Sequence, residues 1–195
     1  MYMGNSKRDF PYLFCFFLFT KLFFCGTIKT EKRKGGGSVE KNSRNDELFM
    51  QKALAEAAIA AENGEIPVGA VIVKNGEILC TAHNLCEELH DATAHAERLA
   101  ISEAGRLSGG WRLSDCTLYV TLEPCPMCTG AAINSRIGRI VYAAKDPRAG
   151  ACESLVKLPS YPLESAPVCE CGVLEEESLQ LLRSFFLKKR SEKKA

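Results

Sequence analysis

No uninterrupted apolar stretch in this sequence is long enough for a comfortable membrane span. The nearest approach, FPYLFCFFLFTKLFFCGTI over residues 10–28, is broken by Lys21. Lys7 and Arg8 give that run the outline of a signal peptide, but the small-x-small cleavage site that should follow is missing. Net charge is nearly absent at +1, which neither favours nor excludes nucleic acid as a partner. No internal repeat occurs, and histidine is scarce, with only His83, His90 and His95. Length is not lacking: 195 residues, 46% hydrophobic and 25% charged, suffice for one domain with a substantial core.

Residues 1–44 stand apart from the rest. Behind the Phe-rich run comes KTEKRKGGGSVEKNSRN, whose composition is that of a disordered linker. Lys34, Gly35 and Gly36 can be encoded by bases resembling a bacterial ribosome-binding site, and Val39 follows at the distance of a GTG start. The expectation is an N-terminal extension over 1–44, of which residues 1–38 are a start-site artefact, with translation beginning at Val39. A signal- or anchor-like segment is the alternative, and a membrane partner is expected only in that case.

From Asn45 the patterning is regular. Asn45 or Asp46 can cap a helix whose apolar stripe runs from Leu48 to Ala61 and which ends at Asn63-Gly64. IPVGAVIVKNGEILCTA reads as a hairpin turning at Asn75-Gly76. A polar loop precedes a helix from about Ala94 to Ala104, and CTLYVTL is a third strand. CPMCTGAAINS is a helix that tolerates Pro126 only in its first turn, RIVYAA a fourth strand, VCECGVL a weaker fifth, and Glu175–Lys189 a final helix. Strands alternating with helices predict an α/β fold: a mixed central sheet of about five strands with helices on both faces. The domain is expected over 45–190, with a basic tail over 191–195. That end of the chain carries Arg183, Lys188, Lys189, Arg190, Lys193 and Lys194, either a solvated helix end or a surface for phosphate.

Ten cysteines raise the question of what Cys125 and Cys128 do in TLEPCPMCTG. A lone C-x-x-C is compatible with a disulfide, a redox pair, a structural zinc or a catalytic one. TAHAERLA supplies His95 and, two residues on, Glu97. Both pieces open a helix, where free amides and partial positive charge favour thiolates. His95, Cys125 and Cys128 make three zinc ligands and leave a fourth position for water, whose pKa zinc lowers to about 7. Glu97 is then placed to handle protons rather than to bind metal. Cys80, Cys86, Cys116, Cys152, Cys169 and Cys171 read as structural.

H-A-E at one helix start and P-C-P-M-C at another match the zinc deaminase signature H-x-E…P-C-x-x-C. Together with EIPVGAVIV, HDATAHAE, SRIGRIVYAAKDPRAGA and LLRSFFLKKR, they make residues 46–190 resemble the bacterial tRNA-specific adenosine deaminases, within the cytidine/deoxycytidylate deaminase-like superfamily. The resemblance implies a three-layer cytidine deaminase-like fold and a cytoplasmic homodimer with one zinc (Zn2+) per subunit. It also implies a tRNA anticodon stem-loop as partner, whose wobble adenosine is converted to inosine. By that resemblance His95, Cys125 and Cys128 are the zinc ligands and Glu97 the catalytic proton shuttle. Asn84, Ala96, Asp146, Phe186 and Lys189 are then the substrate-binding residues. One departure is SAP (165–167), where many relatives carry an Asn-His pair. The chemistry alone leaves the substrate open, because a deaminase of a free base or nucleotide (guanine or cytosine) needs the same ligands and carboxylate.

Overall fold

A computed structural model describes residues 43–192. Residues 1–42 of the expected N-terminal extension, with the start at Val39, and the last three residues of the basic tail lie outside the described residues. Within them the chain runs α1 (Ser43–Glu62), β1 (Gly69–Lys74), β2 (Glu77–His83), α2 (Cys86–Leu89), α3 (Ala96–Leu107), β3 (Cys116–Leu122), α4 (Pro126–Asn134), β4 (Arg139–Ala144), β5 (Val168–Cys171) and α5 (Glu175–Glu192). The strands form one sheet in the order β2-β1-β3-β4-β5. β1 pairs antiparallel with β2 and with β3, whereas β3–β4 and β4–β5 are parallel, so the sheet is mixed.

Successive side chains of a strand face opposite sides, and the core divides accordingly. Ile72, Leu118, Val120, Ile140 and Tyr142 meet Ala96, Ala100 and Ala104 of α3 and Ala132 of α4. Val71, Val73, Tyr119, Val141 and Ala143 meet Met50 and Ala53 of α1, with Val173 and Leu174 at the entry to α5. Helices therefore cover both faces, making three layers. β1 is buried along nearly its whole length, while β2 and β5 are the half-exposed edges. Among the described residues no helix is long and apolar enough to cross a membrane.

The hairpin turn is where the sequence places it: Asn75 (φ 52°) and Gly76 (φ 81°) are both left-handed, as a two-residue type I′ turn requires. Other boundaries differ from expectation. α1 begins at Ser43, ahead of Asn45 and Asp46, and Asp46 is no cap because its carboxylate turns inward to Arg139. α3 begins at Ala96 rather than Ala94, with His95 extended (φ −75°, ψ 147°) as its N-cap, and it passes through Gly105 to Leu107. The polar loop after β2 contains the short helix α2. Helix α5 continues through Ser191 to Glu192, into the stretch expected as tail.

The parallel strands β3 and β4 end side by side at Leu122 and Ala144. At the same edge of the sheet the antiparallel pairing brings the start of β1 (Gly69) against the end of β2 (His83). The loops leaving this edge carry the residues singled out by the motifs.

Candidate metal centre and its pocket

β3 hands the chain over to α4 through Glu123, Pro124 and Cys125. Cys125 is the extended N-cap (φ −69°, ψ 172°) and Pro126 the first helical residue, where its missing N–H costs nothing. Cys128 follows inside the first turn and is fully buried. His95 caps α3 in the same way, so two helix N-termini converge. His95 Nδ1 lies 3.7 Å from Cys125 Sγ and 3.6 Å from Cys128 Sγ. A tetrahedral zinc, with Zn–S near 2.3 Å and Zn–N near 2.1 Å, sets its ligand atoms roughly 3.6 Å apart. The donor set fits zinc as it stands, and among the described residues it is the one cluster of three such ligands.

The electrostatics of the two sulfurs are those of a pair sharing a proton. The hydrogen bond from Cys128 pulls the Cys125 thiol down to about 4, helped by His95 and opposed by burial. The same bond, with burial, pushes Cys128 up. A bound divalent cation takes the place of that shared proton.

Glu97, in the first turn of α3, is 3% exposed, and its Oε2 has no partner. Burial pushes its carboxyl above the usual carboxylate range. It lines a cavity of about 910 Å³ together with His95, Cys125 and Asn84. Asn84, directly after β2, donates from Nδ2 to the Ile66 carbonyl (3.1 Å) and accepts the Ala96 N–H at Oδ1 (2.9 Å). It thereby locks the loop before β1 to the start of α3, and one Nδ2 hydrogen remains for a ligand. Ala96 is fully buried in the core and donates its N–H to Asn84 Oδ1.

The remaining expected residues also line the cavity. Asp146 does so from the loop after β4, and Phe186 and Lys189 do so from α5. Phe186 stands edge-on to Phe185 at 5.3 Å, and Lys189 Nζ lies 5.6 Å over the Phe185 ring. Both rings line the cavity, Phe185 largely buried and Phe186 the more exposed of the two. His90 is an exposed left-handed residue closing α2.

Two buried glutamates in the cavity wall escaped the motif analysis. Glu65 Oε1 accepts the N–H groups of Glu87 (2.8 Å) and Glu88 (3.0 Å), which holds the start of α2. Glu123 accepts backbone amides of the loop after β4; burial pushes its carboxyl up, but Ser154 and those amides bring it below the usual range. The available signal was an acid set among apolar residues and proline, in GEIPV and in TLEPC.

Residues 43–144 match the cytidine and deoxycytidylate deaminase zinc-binding region. The tRNA-specific adenosine deaminase of Bacillus subtilis (strain 168) is 48% identical over 151 residues, spanning 77% of this chain and 94% of its own. That of Aquifex aeolicus (strain VF5) is 49% identical over 146 residues, spanning 74% of this chain and 96% of its own. A solved structure described for A-to-I editing by tRNA:A34 deaminases aligns with a TM-score of 0.68 at 45% identity, over 69% of this chain and 99% of that one. The chain therefore belongs to the zinc-binding cytidine and deoxycytidylate deaminase family, among its tRNA-specific adenosine deaminases.

Proposed function

We infer that residues 45–190 form a hydrolase that converts the wobble adenosine of a tRNA anticodon to inosine and releases ammonia. The observation that carries the chemistry is the His95–Cys125–Cys128 donor set beside a buried Glu97 with an unpartnered oxygen, in one cavity. The identity of the substrate follows the tRNA-specific relatives.

Held by His95, Cys125 and Cys128, zinc supplies Lewis-acid activation of water at neutral pH. The chain's own groups do the rest. The reacting base leaves its stack to enter the cavity, at a cost of about a few kcal/mol. Asn84 orients it with its remaining Nδ2 hydrogen. Glu97 accepts a proton from water and passes it to the ring nitrogen N1 as the water oxygen bonds to C6. Glu97 then takes the remaining proton from the C6 hydroxyl and hands it to the amine, the C6–N bond breaks as the C6 carbonyl forms, and ammonia leaves. Asp146, Phe186 and Lys189, at the rim, receive neighbouring parts of the loop: Phe186 offers a stacking face and Lys189 a charge for phosphate.

The same reading makes the protein a cytoplasmic homodimer, working where tRNA is. Leu107, Trp111, Leu155, Val156, Tyr161 and Leu163 are among the large apolar side chains that a single chain leaves exposed. Light scattering that reports the mass of a single 21.4 kDa chain would end the dimer proposal.

Inosine formation in an anticodon stem-loop, assayed beside free cytosine and guanine, tests the function. Inosine in the stem-loop is the expected product. Turnover of the free bases without the stem-loop would replace this reading with free-base deamination.

A further inference from the structure

Glu123 stands at the end of β3, two residues before Cys125, and is 3% exposed. Its partners are amides and a hydroxyl, all from one loop. Oε1 accepts the N–H groups of Cys152 (3.0 Å), Glu153 (2.8 Å) and Ser154 (3.0 Å). Oε2 accepts the N–H of Asp146 (3.1 Å) and the Ser154 hydroxyl. The loop after β4 thus curls around a single carboxylate, and it does so closely. A Cβ on Gly150 would fall 2.3 Å from both Glu123 Cδ and Oε2. Pro124 adds its carbonyl as acceptor for Ala151 N–H at 2.8 Å.

The first turn of this loop is also a wall of the cavity, contributing Lys145, Asp146, Arg148 and Ala149. Two of these are cations: Lys145, which pairs with Glu153 of the same loop at 2.5 Å, and Arg148, which is suited to a phosphate of a polynucleotide rather than to a free base. Glu123 is not part of the metal-ligand cluster. What it can do is hold the cationic wall at a fixed distance from the reacting base, since the end of β3 and the ligand Cys125 belong to the same turn of chain.

We propose that Glu123 is a positioning residue for the nucleotides flanking the reacting base, setting substrate affinity by fixing the Lys145–Ala149 wall against the end of β3. The proposal rests on the polynucleotide substrate inferred above. It predicts a split: affinity depends on Glu123, while the zinc site and the proton path through Glu97 do not.

Glu123→Gln keeps one oxygen for the three amides at Oε1 and sets an amide group against the Asp146 N–H. The expected result is a KM for the stem-loop raised about tenfold or more, the order expected when a binding wall shifts by a fraction of an ångström. Its Kd from fluorescence anisotropy rises in parallel. kcat and zinc content stay near wild type, and the amides of 146 and 152–154 exchange hydrogen faster. Ser154→Ala, which removes one hydroxyl donor without touching the carboxylate, shifts KM and Kd the same way by a smaller factor. Unchanged KM and Kd in both variants, or a lost kcat or lost zinc with KM unchanged, overturns the proposal. A wild-type protein that binds the stem-loop but makes no inosine overturns the deaminase reading alone, because the Kd comparison still decides Glu123. A wild type that does not bind it overturns both.

Discussion

Glu97 combines two properties that a merely structural carboxyl avoids: it is buried, and one of its oxygens has no partner. A buried polar atom without a partner costs on the order of 1–3 kcal/mol, so the site holds this group at an expense that proton transfer explains. Burial also raises its affinity for a proton, in keeping with the proton-shuttle role proposed for it. Glu97→Gln keeps shape and burial but cannot cycle a proton. Turnover should fall roughly 10²–10⁴-fold, while zinc per chain, measured by atomic absorption, stays at the wild-type value. Full turnover in that variant would remove Glu97 from the proton path. Asn84 illustrates a different residue-scale effect. Its two bonds reach residues 18 and 12 positions away, so its structural task is a product of the fold and not of any local pattern.

Elements show where sequence reasoning holds and where it stops. The ligand triad was legible because few residue types bind zinc and because C-x-x-C with a helix-opening proline leaves little geometric freedom. The Asn75-Gly76 hairpin was legible because two left-handed residues admit few side chains. The start of α3 was not, since Ala94 and His95 have no helix-breaking chemistry of their own. His95 is extended at the point where its Nδ1 faces the two sulfurs, a tertiary arrangement. Helix α2 was missed for a similar reason: Glu65, 22 positions before Glu87, accepts the free amides at its start. The packing of α1 on the sheet depends on one further hidden feature. A Cβ at Gly69 would lie 2.0 Å from the Ala53 carbonyl oxygen and 2.6 Å from the Ala57 nitrogen, both backbone atoms that no rotamer change can move. Gly69→Ala should force α1 away from β1 and cost about 1–3 kcal/mol or more, read as a lower denaturant midpoint. A midpoint equal to wild type would mean that α1 does not approach β1 so closely.

At the scale of the whole molecule, the sheet has a chemical end and a structural end. Opposite the loops of the metal centre, the start of β4 gathers three other elements around Arg139. Its guanidinium grips Asp46 of α1 at both oxygens (2.8 and 2.9 Å) and Glu170 of β5 at both oxygens (3.0 and 2.9 Å). Tyr119 of β3 donates its hydroxyl to Asp46 at 2.6 Å. The hydrogen bond from Arg139 holds the Asp46 carboxyl below its usual range, with burial opposing and Tyr119 assisting. A carboxyl whose pKa is lower folded than unfolded stabilises the fold above its unfolded value of about 3.9, and that contribution drains away as pH falls through the folded value. Asp46 should therefore contribute fully at neutral pH and less and less below about pH 4. Asp46→Asn removes the titrating group while keeping most of its shape. It should be less stable than wild type at pH 7, and the gap should narrow in urea titrations run at about pH 3. A gap that stays constant across that range would show that Asp46 does not titrate with unfolding, and would move the acid sensitivity of this end of the sheet to another carboxylate.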